Sequence, residues 1–118
     1  MKTIIAGSRE VTSYHEVKQA IEKSEFDITQ VVSGCARGVD RLGEKFAADY
    51  NIPCVKFPAD WNTHGKRAGY LRNQQMADYA DALIAIWDGE SRGTKHMIDI
   101  ATKAGLAVYV YKYNNKGE

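Results

Sequence analysis

Short runs with apolar residues side by side, separated by stretches of helical period, constrain this chain more than any other feature. Lys2 to Gly7, Ile28 to Ser33, Cys54 to Phe57, Ala82 to Trp87 and Ala107 to Tyr111 read as strands. A strand with one wet face alternates apolar and polar residues, whereas Thr3-Ile4-Ile5-Ala6 and Leu83-Ile84-Ala85-Ile86 do not alternate. Continuous runs of this kind belong to parallel sheets covered on both faces. The intervening stretches supply the covers. Thr12 or Ser13 caps a first helix, with Glu16 three residues after Ser13 forming a capping box, and Val17, Ala20 and Ile21 make its stripe before an end near Ser24 or Glu25. Val39, Leu42, Phe46, Ala47 and Tyr50 share one face of a second helix from about Val39 to Tyr50, with Asn51 as its C-terminal cap. A third helix runs from about Tyr70 to Tyr79, and a fourth carries Met97, Ile98 and Ala101 inward and ends at Gly105. The expectation is an α/β, Rossmann-like, doubly wound parallel sheet of about five strands with helices on both faces. At 118 residues this is one domain, 1–113, with 114–118 as a frayed tail.

Composition narrows the function classes. The net charge is +1, and a chain that wraps nucleic acid carries a larger basic excess, so nucleic acid is not an expected partner. Cys35 and Cys54 lack metal-type spacing and read as reduced thiols of a cytoplasmic protein, Cys54 as core; no metal and no cofactor is expected. No signal peptide is visible, and no apolar run is long enough to span a membrane.

In a doubly wound sheet, ligands bind beyond the C-terminal strand ends where the strand order reverses. With an order of 3-2-1-4-5, that crevice lies between the first and fourth strands. Three glycine-bearing loops then converge there: Gly7-Ser8-Arg9, Gly34 to Asp40, and Asp88 to Thr94. Helix N-termini and glycine turns offer backbone N–H groups to an anion, and arginine adds a planar fork of donors. Arg9, Arg37, Arg72 and Arg92 are the candidate anion ligands, Arg9 and Arg72 the stronger two. Ser91 and Thr94 are hydroxyls at a helix start, where N-capping alone accounts for them. Asp40 either complements a helix dipole, fixes the glycine loop or accepts from a ribose hydroxyl. Asp88 is either a general base or an Asx-type turn residue. Ala59 to Gly69 reads as the longest irregular stretch, a candidate lid holding Trp61 and His64. Trp61 and Trp87 are a base-stacking surface or core, and His64 is the histidine to test.

These residues also carry a resemblance. Ser33-Gly34-Cys35-Ala36-Arg37-Gly38-Val39-Asp40 resembles the Ser-Gly-x-Ala-Arg-Gly-x-Asp segment of the SLOG superfamily, which includes the DprA and LOG (Lonely Guy) branches. The likeness is closer to small YspA-type, YpsA-related SLOG proteins. It takes in Gly7-Ser8-Arg9, Pro58-Ala59-Asp60-Trp61, Gly65-Lys66, Ala68-Gly69, Arg72-Asn73-x-x-Met76 and Trp87-Asp88-Gly89-x-Ser91-x-Gly93-Thr94. The resemblance implies a domain that binds a nucleotide or a nucleotide-derived molecule such as ADP-ribose or NAD-like compounds. It makes Gly7, Ser8, Arg9, Gly34, Arg37, Gly38, Asp40, Arg72, Asn73, Asp88, Ser91, Gly93 and Thr94 the expected ligand-binding set. It also implies self-association into a homo-oligomer. LOG enzymes carry a glutamate that works with an arginine on the glycosidic bond; Arg72 is similar to that arginine, but Met97 stands in the glutamate's place. The expectation is therefore a sensor or carrier. The alternative is a LOG-like phosphoribohydrolase that cleaves the N-glycosidic bond of a nucleoside 5′-monophosphate, with Arg72 and Asp88 as catalytic candidates. Single-stranded DNA binding, as in the DprA branch, ranks third.

Overall fold

A computed structural model describes residues 1–113. The frayed tail expected at 114–118 lies outside the described residues. The elements follow in the order β1 (Lys2–Gly7), α1 (Tyr14–Ser24), β2 (Gln30–Ser33), α2 (Val39–Asp49), β3 (Cys54–Lys56), α3 (Trp61–His64), a 3-10 turn (Gly65–Arg67), α4 (Ala68–Tyr79), β4 (Ala82–Trp87), α5 (Arg92–Lys103) and β5 (Ala107–Lys112). All strand pairs are parallel, in the order β3-β2-β1-β4-β5. This is the doubly wound sheet the apolar runs predicted.

The two faces of the sheet explain why those runs do not alternate. Ile4, Ala6, Val32, Leu83 and Ala85 pack on one side with Met76 and Ala77 of α4 and Met97 and Ala101 of α5. Their neighbours Ile5, Val31, Ile84 and Ile86 pack on the other side with Val17, Ala20 and Ile21 of α1 and Val39 and Ala47 of α2. Successive side chains of a strand point to opposite faces, so burial of both faces requires an apolar residue at every position. β3 and β5 are the outer strands. Cys54 in β3 is accordingly half-buried and packs against the periphery of the second cluster, where full core burial was expected.

Local chemistry sets the helix ends. Ser13 caps α1 by accepting from the Glu16 amide at 3.3 Å. The Glu16 carboxylate does not close the expected box; it accepts from the Tyr111 hydroxyl at 2.5 Å and ties α1 to β5. A tertiary partner across the sheet edge replaces the local one. α1 ends in Glu25, at a left-handed φ of 60°. The stretch from Ala59 to Gly69 differs from the irregular lid expected of it. Asp60 caps α3 by accepting from the Thr63 amide at 3.1 Å, and the chain continues through the 3-10 turn directly into α4, which starts two residues earlier than periodicity indicated. The glycines at 65 and 69 masked that continuity: Gly65 turns the chain at φ 59°, while Gly69 lies inside α4.

Candidate functional site

β1 and β4 are adjacent, and their following loops leave toward opposite faces, opening a crevice at their C-terminal ends. A cleft of about 420 Å³ occupies it. Gly7, Ser8 and Arg9 come from the β1 loop, Asp40 from the start of α2, Arg72 and Asn73 from α4, and Asp88, Ser91, Gly93 and Thr94 from the β4 loop and the start of α5. Ten of the thirteen residues the sequence nominated therefore line one space. A second hollow of about 340 Å³ adjoins it, sharing Arg9, Ala36, Trp61 and Arg72, and holds Gly34 and Arg37. Gly38 lines neither hollow.

Gly38 holds the cleft together from behind. Its φ is 79°, and a Cβ there would lie 2.6 Å from the carbonyl oxygens of both Ser8 and Arg9. Only a residue without a side chain lets the β2–α2 turn pass so close to the β1 loop. That approach allows the Val39 amide to donate to the Ser8 carbonyl at 3.4 Å. Gly34 plays a related part: a Cβ there would meet the Arg72 guanidinium at 2.6 Å and the Asp40 carboxylate at 2.9 Å. The missing side chain lets that cation and that carboxylate both close on the backbone of Gly34.

Asp40 is 5% exposed, and its carboxylate accepts from the Ala36 amide at 3.1 Å, so it does fix the glycine loop. Burial pushes its pKa up to about 6, against the opposing pull of the Ala36 amide and of Arg72. Ser33 braces the same loop, donating to Glu44 at 2.6 Å and accepting from the Cys35 amide at 3.0 Å. Cys35 is half-buried in the left-handed conformation, and burial raises its thiol pKa, which disfavours the reactive thiolate.

Arg72 donates through Nη1 to the Gly34 carbonyl and through Nε to the Asn73 side-chain oxygen at 3.0 Å. Asn73 is 6% exposed and donates to the Gly93 carbonyl at 3.3 Å, joining α4 to the first turn of α5. Its amide nitrogen also lies 3.2 Å from Nδ1 of His96, whose ring packs edge-on against Tyr70. α4 and α5 bring Asn73 and His96 together by packing side by side.

Asp88 occupies an Asx-type turn. Its Oδ1 accepts from the amides of Glu90 and Ser91 at 2.8 and 2.9 Å, which lowers its pKa. Its own amide donates to the Ser8 hydroxyl at 3.3 Å, linking the β1 and β4 loops. Ser91 caps α5, accepting from the Thr94 amide at 3.3 Å, and its hydroxyl lies 3.0 Å from that of Thr94. The Lys95 amide donates to the Ser91 carbonyl. Of the four amides that open a helix without intrahelical partners, those of Arg92 and Gly93 have no partner among the described residues.

Other candidates fall outside the cleft. Arg37 pairs with Glu10 at 2.9 Å, with both side chains largely exposed, and Arg92 and His64 line neither hollow. Trp87 donates its indole N–H to the Ser91 carbonyl at 3.1 Å and serves the β4 loop. Lys66, Tyr70, Met76 and Met97 line the cleft without having been nominated as ligand contacts. Met97 is 1% exposed and belongs to the core cluster, so its position offers no acid. Lys66 sits in the stretch read as a lid and Tyr70 at the helix start that follows it, and their signal was the helical continuity from that stretch into α4.

Residues 1–64 match the family described as the YspA, cpYpsA-related SLOG family (YAcAr). Gene 61 protein of Mycobacterium phage D29 is 34% identical over 117 residues, an overlap of 91% of this chain and 93% of that protein. The chain belongs to the YspA, cpYpsA-related SLOG family. As a fold, this SLOG chain is also similar to the X-ray structure of DNA processing protein A (DprA) from Streptococcus pneumoniae, with a TM-score of 0.73 at 17% identity. The match covers 92% of this SLOG chain and 49% of that one, so it spans about half the DprA chain. Among the described residues, no helix is long and apolar enough to cross a membrane.

Proposed function

We propose that the cleft between β1 and β4 binds a nucleotide or a nucleotide-derived molecule, as a sensor or carrier. The observation that carries this reading is the convergence of three loops on one cleft that mixes both signs of charge with hydroxyls and an indole. Arg9, Lys66 and Arg72 supply cations, while Glu10, Asp40 and Asp88 supply carboxylates. A simple anion site has no use for three acidic residues. A molecule with phosphate and sugar hydroxyls uses both kinds: arginine forks take the phosphate, and carboxylates accept from the hydroxyls. The partnerless amides at the start of α5 add donors and the positive end of a helix dipole.

The test is a thermal-shift screen against nucleoside monophosphates, cyclic nucleotides, ADP-ribose and NAD, with wild type and Arg72→Lys side by side. A ligand that binds the folded state alone stabilises it by about 2.7 kcal/mol at a concentration a hundred times its Kd. The expected result is a saturable rise in melting temperature for at least one compound. Arg72→Lys should lose about tenfold in affinity for that compound, because lysine is a point charge without the bidentate fork. A flat screen at millimolar concentrations would refute the reading.

A second reading, hydrolysis of the N-glycosidic bond of a nucleoside 5′-monophosphate, is favoured by one observation. Asp40 is a cleft carboxyl with a pKa of about 6, near the range in which a group both gives and takes a proton at neutral pH. Release of free base on incubation with nucleoside monophosphates, abolished in Asp40→Asn with binding retained, would select this reading over the carrier.

A further inference from the structure

Trp61 is half exposed, with 50% of its surface open, and stands on the wall common to both hollows. A large aromatic side chain left in that position needs a reason, since it adds nothing to either core cluster. Its placement is fixed locally. Asp60 caps the turn that carries it, and the Gly65 amide donates back to the Trp61 carbonyl. The edge of the indole passes over Gly69, where a Cβ would lie 3.5 Å from its Cη2 atom and 3.9 Å from Nη2 of Arg72. Gly69 thus leaves the indole and the guanidinium as neighbours. Arg9 and Arg72 also line both hollows. The second hollow is also lined by Pro58, Ala59 and Ala36, small apolar residues that share it with the indole and the arginines.

We propose that the indole of Trp61 is the platform on which a planar heteroaromatic ring of the ligand stacks, while Arg9 and Arg72 hold the anionic part of the same molecule at the junction of the two hollows. This rests on the nucleotide reading and deepens it: recognition of the base comes from an exposed aromatic face on the α3 side of the cleft. An aromatic face accepts any base, so this contact separates nucleotides from sugar phosphates without choosing among bases.

Three probes separate the parts of the molecule: ADP, ribose 5-phosphate and inorganic pyrophosphate. They are measured by thermal shift and by tryptophan fluorescence on wild type, Trp61→Leu and Trp61→Phe. ADP should bind wild type more tightly than either fragment and quench its fluorescence. Trp61→Leu should lose about tenfold in ADP affinity, the scale of one base–aromatic stack, and less than twofold for pyrophosphate. Trp61→Phe should keep most of the ADP affinity and lose most of the quenching, since the remaining indole of Trp87 is turned to the Ser91 carbonyl. Undiminished ADP affinity in Trp61→Leu, or an equal loss for ADP and pyrophosphate, overturns the stack while leaving the nucleotide reading intact. Wild type that responds to none of the three probes overturns the stack, and silence toward the wider nucleotide panel as well overturns both. The free variants should melt close to wild type because the ring is half in solvent.

Discussion

Removing the charge of Asp40 should make the protein more stable at neutral pH than at acid pH, relative to wild type. The carboxyl is 5% exposed and faces Arg72, Arg9 and Glu44. Burial outweighs the pull of the arginines and of the Ala36 amide and lifts its pKa from 3.8 to about 6. Between roughly pH 4 and pH 6 the folded protein holds a proton at this site that the unfolded chain has released. Stability therefore falls as pH rises through that window, and above it the ionised carboxylate stays buried at full cost. A tenfold difference in proton affinity is worth about 1.4 kcal/mol, so the shift amounts to about 3 kcal/mol. Asp40→Asn keeps an oxygen that accepts from the Ala36 amide and has no proton to lose. Urea unfolding of both proteins at half-unit steps from pH 4.5 to 7.5 isolates the site, because titrating groups that do not interact with Asp40 cancel in the difference. The variant should gain about 2 kcal/mol on wild type across that range, most of the full shift, with m values unchanged. At an m of about 1 to 3 kcal/mol per molar urea, that displaces the midpoint by about 0.7 to 2 M. A difference that stays flat within about 0.5 kcal/mol, or that grows in the opposite direction, would show that Arg72 compensates the buried charge and that desolvation does not dominate.

Three further outcomes follow from the glycines and the surface pair. Gly38→Ala puts a Cβ 2.6 Å from two backbone oxygens at φ 79°, so it should destabilise by about 3 kcal/mol, combining conformational strain with displacement of the β1 loop; a loss under about 1 kcal/mol in urea unfolding would contradict the close approach. Gly93→Ala has no atom within 4 Å of the new carbon and lies in the first turn of α5, so the free protein should gain about 0.4 to 1 kcal/mol, read as a higher melting temperature. Arg37→Ala breaks an exposed pair with Glu10 and should cost less than about 1 kcal/mol; it should change nucleotide affinity less than twofold, in contrast to Arg72→Lys, and equal losses in the two variants would move the anion site to the second hollow.

The parallel sheet was legible in the sequence because its cause is local. A strand such as Leu83-Ile84-Ala85-Ile86 sends alternate side chains to two covered faces, and only an unbroken apolar run satisfies both. The strand order supposed for such a sheet is the one observed, and with it comes the meeting of the loops after β1 and β4. The stretch from Ala59 to Gly69 was not legible, because two glycines and scattered polar residues conceal a capped turn running into α4, which is held by its packing on α5 and the sheet.

What the residues determined alone was the architecture and most of the cleft's membership, since periodicity and glycine placement act over a few neighbours. The tertiary structure decided what each member does. Gly38 serves as a spacer behind the cleft because two loops far apart in sequence cross at its Cα. Arg37 turns to the surface and pairs with Glu10, while Arg72 turns inward and donates to the Gly34 carbonyl and to Asn73. Glu16 leaves its cap for Tyr111, a partner 95 residues away. Charge, burial and hydrogen-bond partners are properties of the space between segments, and that space exists only once the chain has folded.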